Sequence, residues 1–166
     1  MADKKGFGMN TKSFDRDGNR EFLADKRIAI IVADFYKDIA DNLLNSSIET
    51  IEHYGCKASN IDIYRLPGAF EIPLMAKKLA QTGNFNGIIT LGAIIRGETP
   101  HFDYVCNECA RGVADVSYQF EIPTAFGVLT TENMDQTVGR SGGYKGNKGE
   151  EAALAMIEMI YLLDNS

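Results

Sequence analysis

The chain has no apolar run long enough to cross a bilayer, and its opening, Met1-Ala-Asp-Lys-Lys5 followed by Gly6-Phe-Gly-Met-Asn-Thr-Lys12, lacks the apolar centre of a signal peptide. A cytoplasmic protein without a membrane partner is therefore expected. An excess of cations is missing too: 17 Lys and Arg stand against 23 Asp and Glu, a net charge of −6, which argues against nucleic acid or an anionic membrane surface as the main partner. Any anion this protein binds must be gripped by a local cationic cluster. Cysteine is scarce. Three of them, an odd number, suggest no disulfide framework, and although Cys106 and Cys109 form a C-x-x-C, no second pair completes a four-ligand zinc site. They read as packing residues of a helix, and no metal is expected.

What is present is an alternation. With 166 residues, 45% of them apolar, the chain can bury one substantial core. Residues 1–22, rich in Gly, Asp, Lys and Asn, read as a flexible N-terminal arm that orders only against a neighbouring chain, and 23–166 as one domain. The continuous apolar run over 27–33 has strand length, as in a strand covered on both faces. Over 37–54, Ile39, Ala40, Leu43, Leu44, Ile48 and Ile51 recur at helical spacing, and Gly55 supplies the stop.

The pattern repeats with a strand at 61–66, a Pro67-Gly68 turn, and a helix at 72–79 that tolerates Pro73 in its first turn. A strand at 87–91, a helix at 102–120, a strand at 124–130 and helices at 132–138 and 147–163 complete the reading. Strands alternating with helices imply parallel pairing through right-handed crossovers. The expected fold is α/β: a flavodoxin-like three-layer sandwich with a mostly parallel four-stranded sheet flanked by helices on both faces. The last helix is apolar around most of its girth, from Ala152 to Leu163, which predicts a second subunit against its outer side.

In open α/β sheets, ligands bind beyond the C-terminal ends of the strands. Those ends carry Asp34-Phe-Tyr36, Pro67-Gly-Ala-Phe-Glu71, Gly92-Ala-Ile-Ile-Arg-Gly-Glu-Thr-Pro-His101 and Thr130-Thr-Glu132. The third segment is read as a loop and is the most informative, because it sets an Arg, a Thr hydroxyl and one of only two histidines at that edge. Each residue carries two readings. Phe35 is either a cap of the core or a ligand platform. Glu71 is either an acid favoured by a helix dipole or an acceptor for ligand hydroxyls. His101 is either an idle loop residue or a proton carrier. A second cluster, Arg140-Ser-Gly-Gly-Tyr-Lys-Gly-Asn-Lys-Gly149, brings three cations and four glycines to the start of a helix, as an anion site or as a solvated loop. It lacks the spacing of a nucleotide phosphate loop.

Taken in order, Phe35, Pro67-Gly-Ala-Phe-Glu-Ile-Pro73, Gly92-Ala-Ile-Ile-Arg-Gly-Glu-Thr-Pro-His-Phe-Asp-Tyr-Val105, Phe126-Gly-Val-Leu-Thr-Thr-Glu132, and Arg140 with Gly146-Asn-Lys-Gly149 resemble the 6,7-dimethyl-8-ribityllumazine synthase family from about residue 25 onward. The resemblance implies condensation of 5-amino-6-(D-ribitylamino)uracil with 3,4-dihydroxy-2-butanone 4-phosphate, without metal or organic cofactor. It further implies that Phe35 stacks on the pyrimidine, that Ala69, Phe70 and Glu71 line the ribityl chain, and that the backbone of Ala93, Ile94 and Ile95 meets the pyrimidine edge. Glu98, Thr99 and Arg140 would hold the phosphate, His101 would shuttle protons, and Glu151 would orient that histidine. Phe126, Arg140 and Lys148 would come from the adjacent subunit of a pentamer, and the Gly142–Asn147 turn resembles that of members whose pentamers close into icosahedral shells. Tyr36 stands where many relatives carry Asn or Trp. A flavin-binding carrier and a non-catalytic shell protein are the rival readings. The first lacks a Ser/Thr-rich phosphate grip after the first strand, and the second is disfavoured by the presence of Phe35, His101, Arg140 and Lys148.

Overall fold

Burial follows the apolar runs. The structure, a computed structural model, describes residues 10–166. Strand β1 (Ile28–Ala33) is buried along its whole length, and strand β3 (Gly87–Ile95) is buried up to its last residue. Both lie in the middle of a sheet of order β2-β1-β3-β4, all parallel, with β2 (Ile61–Leu66) and β4 (Thr124–Thr131) at the edges. A parallel strand with both faces covered needs no polar alternation, which is why these runs read as continuously apolar.

Alternate residues of β1 then serve opposite layers. Ile28, Ile30 and Val32 pack with helices α1 (Lys37–His53) and α5 (Lys148–Asp164), whereas Ala29, Ile31 and Ala33 pack with α2 (Ile72–Thr82) and α3 (His101–Phe120). This is the flavodoxin-like three-layer sandwich expected from the sequence. The caps are local: Asn133 accepts from the Gln136 amide at the start of α4 (Met134–Arg140), and Asn147 accepts from the Gly149 amide at the start of α5. Helix α2 ends at Gly83, whose φ of 68° suits a residue without a Cβ.

Three departures from the sequence reading have physical causes. The stretch Gly92–Ile95 is strand rather than loop, since β3 continues alongside β4 as far as Ile95 opposite Thr131. Gly92 is there because strands crowd: a Cβ at this position would sit 3.0 Å from the Ala33 Cβ. The Gly-rich segment after α4 is a small antiparallel hairpin, β5 (Ser141–Gly143) with β6 (Gly146–Asn147), closed by the Lys145 amide donating to the Gly139 carbonyl at 2.7 Å.

Of the arm predicted over 1–22, residues 1–9 lie outside those described, and the remainder lies against the body of its own chain. Phe14 meets Phe22, Tyr54 and Tyr161 edge-on at 5.3–5.6 Å, and Arg16 bridges to Glu158 at 2.6 Å. The polar average of this segment hides two aromatic anchors. They also account for part of the apolar girth of α5, since Ala152, Ala153, Met156, Ile157 and Ile160 face the sheet and α1, and Tyr161 is covered by Phe14 and Phe22. Met159 and Leu163 stay about half-exposed. Phe14→Ala is expected to cost about 2 kcal/mol, below the cost of a fully buried Phe because the ring is only partly covered, read as a lower denaturation midpoint.

The cysteines sit in packing positions. Cys109 is fully buried in the α2/α3 layer and Cys56 is nearly so in the other. Burial pushes the Cys109 thiol up to about 12 and the Cys56 thiol up to about 11. A thiolate-selective reagent at pH 8 is therefore expected to leave both unlabelled until the protein unfolds, and rapid labelling of either in the native state would contradict this packing.

Candidate active site

The sheet order creates the site. After β1 the chain crosses to β2, whereas after β3 it crosses to β4, so the two central strands part at their C-terminal ends. Pairing between β1 and β3 stops at Val32 and Leu91, but β3 goes on pairing with β4 to Ile95. The edge of Gly92–Ile95 that faced β1 is thereby left without a strand partner. Ala93, Ile94 and Ile95 of this segment line a cleft of about 570 Å³, a volume suited to a small-molecule ligand.

Each wall follows a strand end. Phe35, beyond β1, is 73% exposed and meets Tyr36 edge-on at 5.0 Å, so one of its faces is free for a flat ring. Its loop is braced by Arg65, which donates to Asp34 at 2.7 Å and to Asp41 at 2.6 Å. Hydrogen bonds from Lys37 and then Arg65 hold the Asp41 carboxyl below its ordinary range. Beyond β2, Pro67 and Gly68 lead into a 3-10 turn, Ala69–Glu71, with Ala69 buried and Phe70 and Glu71 exposed to the cleft. The Glu71 carboxylate folds back over Gly68, where a Cβ would meet Oε2 at 3.2 Å.

Ala93, Ile94 and Ile95 form the floor. Gly97 and Thr99 then turn into α3, whose first residue, His101, presents its exposed side chain to the cleft. The His101 amide donates to Thr99 Oγ1 at 3.4 Å. Sequence reasoning missed Gly97, Phe102, Tyr104 and Val105 as lining residues. The signal for Tyr104 and Val105 was their i+3 and i+4 spacing from His101 on one helix face.

Five of the residues named from the sequence do not line this cleft: Glu98, Phe126, Arg140, Lys148 and Glu151. Phe126 lies on edge strand β4 and is 38% exposed. Arg140 ends α4 and donates to the Gln136 carbonyl at 3.0 Å, while Lys148 and Glu151 pair with each other in the first turn of α5. Among the described residues, the lining contributed by one chain includes a carboxylate and an imidazole but no Lys or Arg.

A flavodoxin-like α/β sandwich with an exposed aromatic ring, a carboxylate and a histidine around a cleft at its switch point has the site of a small-molecule-binding α/β protein. Comparison with known proteins narrows this further. Residues 25–164 match the family model described as 6,7-dimethyl-8-ribityllumazine synthase. A protein of that name from Ruthia magnifica subsp. Calyptogena magnifica is 63% identical over 155 residues, covering 90% of this chain and 93% of the relative. Another from Vesicomyosocius okutanii subsp. Calyptogena okutanii (strain HA) is 62% identical over 158 residues, covering 92% and 95%. The chain belongs to the 6,7-dimethyl-8-ribityllumazine synthase family.

Proposed function

We infer that this protein condenses 5-amino-6-(D-ribitylamino)uracil with 3,4-dihydroxy-2-butanone 4-phosphate to 6,7-dimethyl-8-ribityllumazine, releasing phosphate and water, the penultimate step of riboflavin synthesis. Family membership at more than 60% identity supports the reaction. The cleft suggests how it is performed. Phe35 stacks on the pyrimidine, whose polar edge meets the unpaired main chain of Ala93, Ile94 and Ile95. Ala69 and Phe70 border the ribityl chain, and the Glu71 carboxylate accepts from its hydroxyls in charge-assisted hydrogen bonds.

The substrate phosphate lies at the turn of Glu98 and Thr99. That requires a cation, and among the described residues the cleft of one chain is lined by none. This single observation carries the second half of the proposal: the site is completed by an adjacent copy, which brings Phe126, Arg140 and Lys148. Arg140 forks onto the phosphate, Lys148 reaches a pyrimidine oxygen, and Glu151 arrives with Lys148 to orient His101. The assembly is a pentamer in the cytoplasm, and the resemblance of the Gly142–Asn147 turn to that of shell-forming members supports closure of pentamers into an icosahedral shell. Light scattering tests this directly. A mass five times the 18.3 kDa chain, or a higher closed multiple of it, is expected, and a monomer at working concentrations would sink the shared site.

Catalysis is mostly alignment. The amine adds to the ketone and water leaves by imine chemistry that proceeds slowly without a catalyst, so holding both partners in place supplies much of the acceleration. His101 moves the protons in that step. His101→Ala is expected to lower turnover by roughly 10- to 50-fold, at the low end for a general acid-base group. Complete inactivity of the folded variant, measured as lumazine formation, would contradict a mainly positional role.

A further inference from the structure

We propose that Arg96 is a positioning residue that fixes the turn binding the substrate phosphate, and so sets the affinity for the phosphate-bearing substrate in particular. The proposal rests on the functional reading above. Arg96 follows the last residue of β3 and precedes the turn 97–100. Its amide donates to the Thr131 carbonyl at 2.9 Å, continuing the β3–β4 pairing by one residue. Its side chain then reaches across the turn. Nε donates to Glu132 Oε2 at 2.7 Å, Nη1 lies 3.4 Å from Asp103 Oδ1, and the guanidinium stands 4.3 Å from the centre of the Phe102 ring.

One rigid, planar group therefore joins the end of β4 to the first turn of α3. Between those anchors hang Gly97, Glu98, Thr99 and Pro100. The Asp103 amide donating to the Pro100 carbonyl at 2.9 Å closes the far end of the turn. A Cβ on Gly97 would meet open space, so no contact on that side of the residue holds the turn in place. Both carboxylates on Arg96 also neutralise it, so its role is to hold the turn rather than to supply the missing phosphate cation.

Lysine cannot substitute, because one ammonium cannot span two carboxylates and lie flat on a ring at the same time. In Arg96→Gln, the KM for the butanone phosphate is expected to rise about tenfold while the KM for the uracil substrate stays within about twofold, and inhibition by inorganic phosphate is expected to weaken by the same factor. Arg96→Lys should recover less than half of this loss. Independently of turnover, hydrogen exchange in the substrate-free protein should be about tenfold faster at the hydrogen-bonded amides of residues 96, 101 and 103 in Arg96→Gln, with the rest of the sheet unchanged. An equal rise in both KM values, full rescue by Lys, or unchanged exchange in an active enzyme would each overturn the clamp. Failure of the wild type to form any lumazine would instead overturn the functional reading, and the phosphate role with it.

Discussion

Arg140→Ala lowers kcat/KM for the phosphate-bearing substrate by about 100-fold, about 2.7 kcal/mol of transition-state binding. The expectation follows from charge accounting. A dianionic group entering the cleft finds Glu71 there, but no Lys or Arg among the described residues that line it. Arg96, the nearest cation along the chain, is committed to Glu132 and Asp103. Arg140, by contrast, is half-buried at the end of α4, where its Nη1 donates to the Gln136 carbonyl at 3.0 Å. A guanidinium held through one terminal nitrogen in this way keeps Nε and Nη2 for a phosphate. Arg140→Lys keeps the charge and loses the fork, so it should fall between wild type and Ala. The KM for the uracil substrate should barely move. A change of less than about threefold in kcat/KM for Arg140→Ala would remove Arg140 from the site.

Gly149→Ala carries the largest expected loss of stability. The first turn of α5 is wedged against α1: a Cβ on Gly149 would lie 2.1 Å from the Leu43 carbonyl oxygen and 2.9 Å from its carbon. Neither is the free end of a side chain that can swing aside. The Gly149 carbonyl also accepts from the buried Ser47 hydroxyl at 2.9 Å, and its amide donates to Asn147, so the turn cannot simply slide outward. A cost of about 3 kcal/mol, at the upper end of the range for overpacking, is expected. Activity should fall with it, because Lys148 and Glu151 ride on this turn. Gly83→Ala is the contrast: open space surrounds that position, and only its positive φ resists a side chain, so about 1 kcal/mol is expected. Equal melting temperatures for Gly149→Ala and wild type would mean that the α1–α5 contact is looser than described.

How far the fold was legible depended on whether a feature was local. β1 and the first half of β3 announce themselves because buried parallel strands write continuous apolar runs, and α1 because its buried face recurs at helical spacing. Gly92 misleads, since a glycine after five strand residues reads as a turn; the crowding by Ala33 that requires it comes from a strand nearly sixty residues earlier. The 141–147 hairpin is hidden for a similar reason, its glycines serving positive φ angles at Gly142 and Gly146 rather than looseness. Phe14 and Phe22 are lost in a polar segment, although they cover Tyr161.

The site divides along the same line. The half that follows β1, β2 and β3 could be read from motifs at the strand ends, and the chain brings Phe35, Glu71, Ile94, Thr99 and His101 together around one cleft. Phe126, Arg140, Lys148 and Glu151 enter the proposal through the family resemblance, because no contact within one chain places them there. Arg96 could be seen but not interpreted, since Glu132, its closest partner, is 36 residues away.

The shared cleft is tested most directly by mixing subunits. Arg140→Ala removes the neighbour's contribution, and Phe35→Glu, at an exposed position, removes the stacking ring from the cleft side, a loss of roughly 10- to 100-fold. Neither variant alone should form lumazine at more than a small fraction of the wild-type rate. Unfolded together and co-assembled in equal amounts, they should regain about one quarter of wild-type activity, the share of interfaces that pair an intact cleft with an intact Arg140 in a randomly mixed ring. Activity that stays at the level of the separate variants in a folded mixed assembly would show that each chain works alone, and would contradict the composite site.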